Sequence, residues 1–193
     1  MSNEQLGMRT FFHKTFRRIS VVMTLMAVLA LFSCDAENTY SSHQCYFVFN
    51  TQLHPVSLLV SAVTPPGDGF VLVHKELDGS TEKVYVEKYG EKDTGSPYVY
   101  TTAGLEPTVK SLVIGYDNGL LIGYSAIENK VLAFDRRCKK CENNAKAKVQ
   151  WYDSNTIVKC PVCGSIYNLN ISGNGLDWYK NASYDGMYVR VIN

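Results

Sequence analysis

The chain has no histidine after His74, so everything beyond that point can build neither a histidine-containing catalytic triad nor an imidazole-rich metal site of its own. It has no excess of charge: 19 Lys+Arg stand against 18 Asp+Glu, which excludes the basic footprint of a nucleic-acid binder. There is no phosphate loop, no nucleophile elbow, no internal repeat and no low-complexity tract, so phosphoryl transfer and the common hydrolase constellations are excluded as well. No apolar run approaches the ~20 residues that a helix needs to cross a bilayer. Disorder is excluded from the other direction, because 46% of the 193 residues are apolar.

What is present is unevenly spread. Residues 1–33 carry Arg9, Lys14, Arg17 and Arg18 against a single acid, Glu4, and then the uncharged run Val21–Ser33. Basic residues, a short apolar stretch and then Cys34 follow the order of a signal peptide that ends at a lipidated cysteine. Leu31, Phe32 and Ser33 stand where the bacterial lipobox has its apolar, variable and small positions, so Cys34 is expected to carry the lipid. The stretch 34–45 is polar and aperiodic and is expected to tether the domain to the membrane. That places the protein in a bacterial cell envelope, lipid-anchored, with the outer membrane as the expected address. Residues 46–193 then amount to about one domain of slightly acidic charge.

That domain reads as all-β. Short β-branched and aromatic runs recur between Gly, Asn, Asp and Pro: Tyr46–Phe49, Phe70–His74, Lys83–Glu87, Tyr98–Thr101, Leu112–Tyr116, Leu120–Tyr124, Val131–Phe134, Val149–Tyr152, Thr156–Lys159, Ile166–Leu169 and Met187–Ile192. Asp117-Asn118-Gly119 predicts a hairpin over Leu112–Ser125, and Tyr184-Asp185-Gly186 a second turn. Pro55–Val63 is the exception, open to either a short helix starting near the proline or a strand.

The chemistry is concentrated in cysteine. Cys138-Lys-Lys-Cys141 and Cys160-Pro-Val-Cys163-Gly164 are two C-x-x-C pairs, a strong signal for a metal site in which each pair forms a knuckle and the residues between fold back to bring the knuckles together. Arg136, Arg137, Lys139, Lys140 and Lys159 lie around them in sequence and are expected to offset the thiolate charge. In an exported protein the same four cysteines could instead form disulfides or redox-active pairs. Cys45, left over by this pairing, reads as a small buried apolar residue. His54 and His74 read as ordinary strand or loop residues.

From about residue 111 onward the chain resembles a Rieske domain. Val131–Cys138 (VLAFDRRC) is similar to the strand entering the first ligand loop, and Cys160–Leu169 (CPVCGSIYNL) to the second, with its Gly-Ser-x-aromatic continuation at Gly164, Ser165, Ile166 and Tyr167. Leu176–Val191 is similar to the closing strands. The mature chain also resembles lipoproteins of gut anaerobes that combine a Rieske-like fold with an all-cysteine site. The resemblance implies an antiparallel β sandwich or barrel with a metal-binding loop subdomain at about 136–170, ligands Cys138, Cys141, Cys160 and Cys163, and Ser165 and Tyr167 supporting them. It also implies a membrane-anchored electron carrier with a two-iron, two-sulfide cluster and an unidentified redox partner. The family, however, has Cys-x-His in its first loop and a histidine at the position of Cys163. Replacing both imidazoles by thiolates would move such a cluster toward the roughly −400 mV of plant-type ferredoxins, and equally suits zinc, which takes four closed thiolate ligands and has no redox role.

Overall fold

The computed structural model describes residues 40–79, 81–93, 97–99 and 112–193. Cys34 and the segment preceding it lie outside them, as do Tyr100 and Thr101 of the expected fourth strand.

Among the described residues the architecture is β with one short helix. In chain order the elements are β1 (Tyr46–Asn50), α1 (Leu58–Val63), β2 (Phe70–Asp78), β3 (Thr81–Lys88), β4 (Glu91–Lys92), β5 (Tyr98–Val99), β6 (Gly119–Ser125) and β7 (Lys130–Asp135). A single 3-10 turn, Lys139–Cys141, follows, and then β8 (Gln150–Tyr152), β9 (Ser154–Lys159), β10 (Ile166–Asn168), β11 (Ala182–Tyr184) and β12 (Tyr188–Ile192). The strands make three antiparallel sheets. A central one runs β4-β3-β2-β6-β7 with β5 paired to β3, and two three-stranded sheets run β1-β12-β11 and β10-β9-β8.

The packing of the central sheet explains why the first half of β2, β6 and β7 read as unbroken apolar runs rather than alternating ones. Both faces of that part of the sheet are covered. Val71, Val73, Leu120, Ile122 and Ala133 point into one core with Phe47, Leu59, Val189 and Val191, contributed by β1, α1 and β12. The residues between them, Phe70, Leu72, Leu121, Leu132 and Phe134, point the opposite way into a second core with Val149, Val158, Leu169 and two cysteines, Cys138 and Cys160. The period of two along a strand assigns adjacent residues to the two cores. At about 1.5–3 kcal/mol for each buried large aliphatic side chain, both layers contribute substantially to stability.

The segment Pro55–Val63 resolves as helix, but not from the proline. Ser57 is the N-cap, its hydroxyl accepting from Leu59 N–H and donating to Asp93, whose carboxylate also accepts from Leu58 N–H. The capping chemistry outweighs the valine content, because Ser57 and Asp93, hydrogen-bonded to each other, satisfy the orphan amides of Leu59 and Leu58.

The expected Leu112–Ser125 hairpin does not form. Val113 instead bridges to Tyr46 on β1, and β6 pairs with β2 and β7. Gly115 is the reason. It takes φ +57°, which breaks the extended run and turns the amide of Tyr116 toward the carboxylate of Asp135, 2.9 Å away. A Cβ at Gly115 would lie 2.8 Å from both Asp135 Oδ2 and the Tyr179 hydroxyl. Gly115→Ala is therefore expected to cost about 2–4 kcal/mol, left-handed strain plus overpacking, read as a lower urea midpoint at unchanged slope. A midpoint within error of the parent would refute this account of the bend.

The second predicted turn holds. Asp185 accepts from the amides of Met187 and Tyr188, and Gly186 takes φ +89°, which joins β11 to β12.

Candidate metal centre

β8, β9 and β10 form a ribbon laid on the second core, and both C-x-x-C pairs sit at the same end of it, where Lys159 at the close of β9 faces Gln150 of β8 and Ile166 of β10. The first knuckle leaves β7. Asp135, fully buried at the end of that strand, accepts the Arg137 amide at 2.9 Å, and Cys138 N–H donates to Ala147 at 3.0 Å. Cys141 N–H closes back on the Cys138 carbonyl at 3.0 Å, curling the chain so that both thiols face one way. The second knuckle leaves β9. Gly164 N–H donates to the Cys160 carbonyl at 2.9 Å and Cys160 N–H to the Ser165 carbonyl at 2.9 Å, a turn that requires φ +72° at Gly164 and so favours glycine there.

The two knuckles meet. The Sγ atoms of Cys138, Cys141, Cys160 and Cys163 all lie within 4.8 Å of one another, and Cys138 Sγ stands 3.7 Å from Cys163 Sγ. Four thiolates at about 2.3 Å from one tetrahedral ion stand about 3.8 Å apart, so the donor set and its spacing suit a single ion. Two irons bridged by sulfides would hold two of the thiolates on each iron and separate the pairs further. All five described cysteines are free thiols, so none of the four is engaged in a disulfide.

The thiols differ in environment. Cys138 and Cys160 are fully buried in the second core, whereas Cys163 is exposed. Burial, followed by competition with neighbouring sulfurs, raises the Cys138 thiol, and the same two causes push Cys141 up to about 12. Cys163 goes the other way, down to about 6, because the Ser165 hydroxyl and backbone amide stabilise its thiolate. Ser165 Oγ lies 3.3 Å from that sulfur and also accepts from Lys140 Nζ at 3.3 Å. Tyr167 lies on the other side, its hydroxyl 3.0 Å from Cys138 Sγ, and burial raises its own phenol so that it stays a donor.

The five cations do not form a ring around the sulfurs. Lys140 reaches the site through Ser165, but Arg137 is buried, paired with Asp117 and bonded to the Glu142 carbonyl. Lys139 pairs with Asp177 at 3.6 Å, and Lys159 lies over the Tyr152 ring. Arg136 departs altogether, its stem crossing Gly119 into the cleft between the central sheet and the ribbon. Proximity in sequence misleads here, because successive residues of an extended segment face opposite ways.

Sequence reasoning missed Asp135. Besides Arg137 it accepts from Tyr116 N–H and from the Tyr179 hydroxyl at 2.8 Å, so one carboxylate fixes the exit of β7, the Gly115 bend and the segment leading to β11. Its signal was an acid directly after a fully apolar run, Val131–Phe134. Cys45 is completely buried and desolvation raises its thiol to about 12, as an apolar core residue requires.

Comparison with protein families, curated proteins and solved structures found no match to this chain.

Proposed function

We propose that this is an envelope lipoprotein whose β domain is closed by one zinc ion held by Cys138, Cys141, Cys160 and Cys163. The observation that carries the reading is the compactness of the thiol set, every Sγ within 4.8 Å of every other, which suits one tetrahedral ion better than a two-iron cluster. In this role the site is structural. The ion ties the exit of β7 to the exit of β9 and so seals the second core. The protein acts by binding at the cell envelope and not by catalysis. Metal analysis of purified full-length protein tests it, since one zinc per chain is expected and a metal-free, fully folded protein would overturn it.

The exposure of Cys163 favours a second reading, a Rieske-like electron carrier whose iron centre meets its redox partner at that edge. Under that reading the ribbon is the ligand subdomain, Ser165 and Tyr167 hydrogen-bond to sulfur, and the anchor keeps the carrier near a membrane-bound partner.

The membrane anchor rests on the leader ending at Cys34. Cys34→Ser is expected to leave the leader uncleaved and the chain without lipid, visible as slower gel migration and as failure to incorporate labelled fatty acid. Normal maturation of that variant would remove the anchor from the account.

A further inference from the structure

Where the ribbon lies against the central sheet it leaves a cleft of about 230 Å³. Its walls are apolar: Leu72 and Leu121 from the sheet, Val149 and Val158 from the ribbon. Three buried side-chain nitrogens have no hydrogen-bond partner among the described residues, Nδ1 of His74, Nε of Arg136 and Nε1 of Trp151, and Arg136 and Trp151 both line this cleft. Buried polar groups in proteins are nearly always satisfied, so two orphan donors in one concave site point to a ligand acceptor.

Arg136 is held in place for this purpose. Its amide donates to the Gly119 carbonyl at 3.2 Å, its carbonyl accepts from Val149 N–H at 2.9 Å, and a Cβ on Gly119 would come within 2.7 Å of its Cδ. The backbone is thus pinned to both walls and the stem lies where glycine leaves room. Glu87 lines the same cleft and feels the Arg136 charge, yet the two make no ion pair. Beyond Glu87 a second hollow of about 370 Å³ carries Glu76 and Asp93 against Lys92, so acceptors outnumber cations on that side.

We infer that the cleft binds a small zwitterion with an apolar side chain, the chemistry of an aliphatic α-amino acid. Arg136 and Trp151 donate to its carboxylate, Glu87 accepts from its ammonium group, and the side chain rests on the apolar floor made by the four aliphatic residues. The site does not depend on which ion the cysteines hold.

The test uses the full-length protein in detergent with L-leucine as probe. The chain has two tryptophans, and the second, Trp178, packs with a tilt against Tyr40 instead of lining the cleft, so it is an internal control. Millimolar leucine is expected to shift the indole N–H resonance of Trp151 and leave that of Trp178 in place. Trp151→Phe keeps a ring and removes the orphan donor, so it should fold as stably as the parent while binding leucine about ten-fold more weakly or worse. Glu87→Gln should weaken leucine to a similar degree, as should replacing leucine by 4-methylpentanoate or by isoamylamine, each lacking one charge. An unmoved Trp151 resonance at millimolar leucine overturns the proposal. So does 4-methylpentanoate binding as tightly as leucine, because Glu87 would then have no ammonium to meet.

Discussion

Cys160→Ser is expected to abolish metal binding and to lower the thermal midpoint by more than about 10 °C. Cys160 is fully buried, belongs to the second core and begins the knuckle that joins the end of β9 to β10. Serine keeps the size but offers no thiolate at neutral pH, so the ion loses a ligand that no nearby group can replace. Structural zinc sites contribute about 10–16 kcal/mol in peptides that fold only with metal. This domain has cores of its own, so a smaller share is at stake. A loss of about 4 kcal/mol already corresponds to roughly 10 °C in a domain of this size. Cys163→Ser is the informative partner, because Cys163 is exposed. It removes a ligand without touching the core. In chelator the Cys163 variant should therefore match the metal-free parent, whereas the Cys160 variant should remain less stable, its hydroxyl buried among apolar neighbours. Equal stability of both variants in chelator would show that burial of Cys160 carries no weight.

Asp135→Ala is expected to destabilise the fold by about 3 kcal/mol or more even with metal bound. Three donors converge on that carboxylate: the amides of Tyr116 and Arg137 at 2.9 Å and the Tyr179 hydroxyl at 2.8 Å. Removing it takes this acceptor from two buried donors, the Arg137 amide and the Tyr179 hydroxyl, and the penalty for an unmade bond exceeds the net worth of a made one. Burial first, then the Asp135 charge, pushes the Tyr179 phenol up, so it remains a donor throughout the physiological range. Asp135→Asn should fall between alanine and the parent, since the amide keeps one acceptor oxygen and presents an NH2 to donors. Metal affinity should drop as well in the alanine variant, because Asp135 fixes the Arg137 amide one residue before Cys138. Urea titration of both variants, with metal content measured alongside, checks the ordering. An asparagine variant as stable as the parent would mean that the network is not under electrostatic demand.

How much of this was legible beforehand follows from where the determinants lie. β2, β6 and β7 of the central sheet were readable because two covered faces demand apolar residues at every position, and Phe70–Val73, Leu120–Ile122 and Leu132–Phe134 satisfy that demand. The knuckles were readable because both ligands of each pair are local in sequence. Leu112–Tyr116 was misread as a strand because the decisive partner of Gly115 is Asp135, 20 residues on, and no local pattern announces it. The cations were misread for a related reason. Arg136 and Arg137 are neighbours in sequence, yet one lines the cleft of Leu72 and Trp151 while the other pairs with Asp117. The cleft itself draws on β2, β3, β6, β8 and β9, so it exists only once the ribbon is docked on the sheet.

The metal carries the account. Full-length protein purified without added metal should contain one zinc per chain, show no visible absorption, and lose the ribbon's amide protection when a chelator strips the ion while the central sheet stays protected. Iron and acid-labile sulfide in the same preparation, with broad absorption between roughly 400 and 600 nm, would contradict it and assign the four cysteines to an electron-transfer cluster.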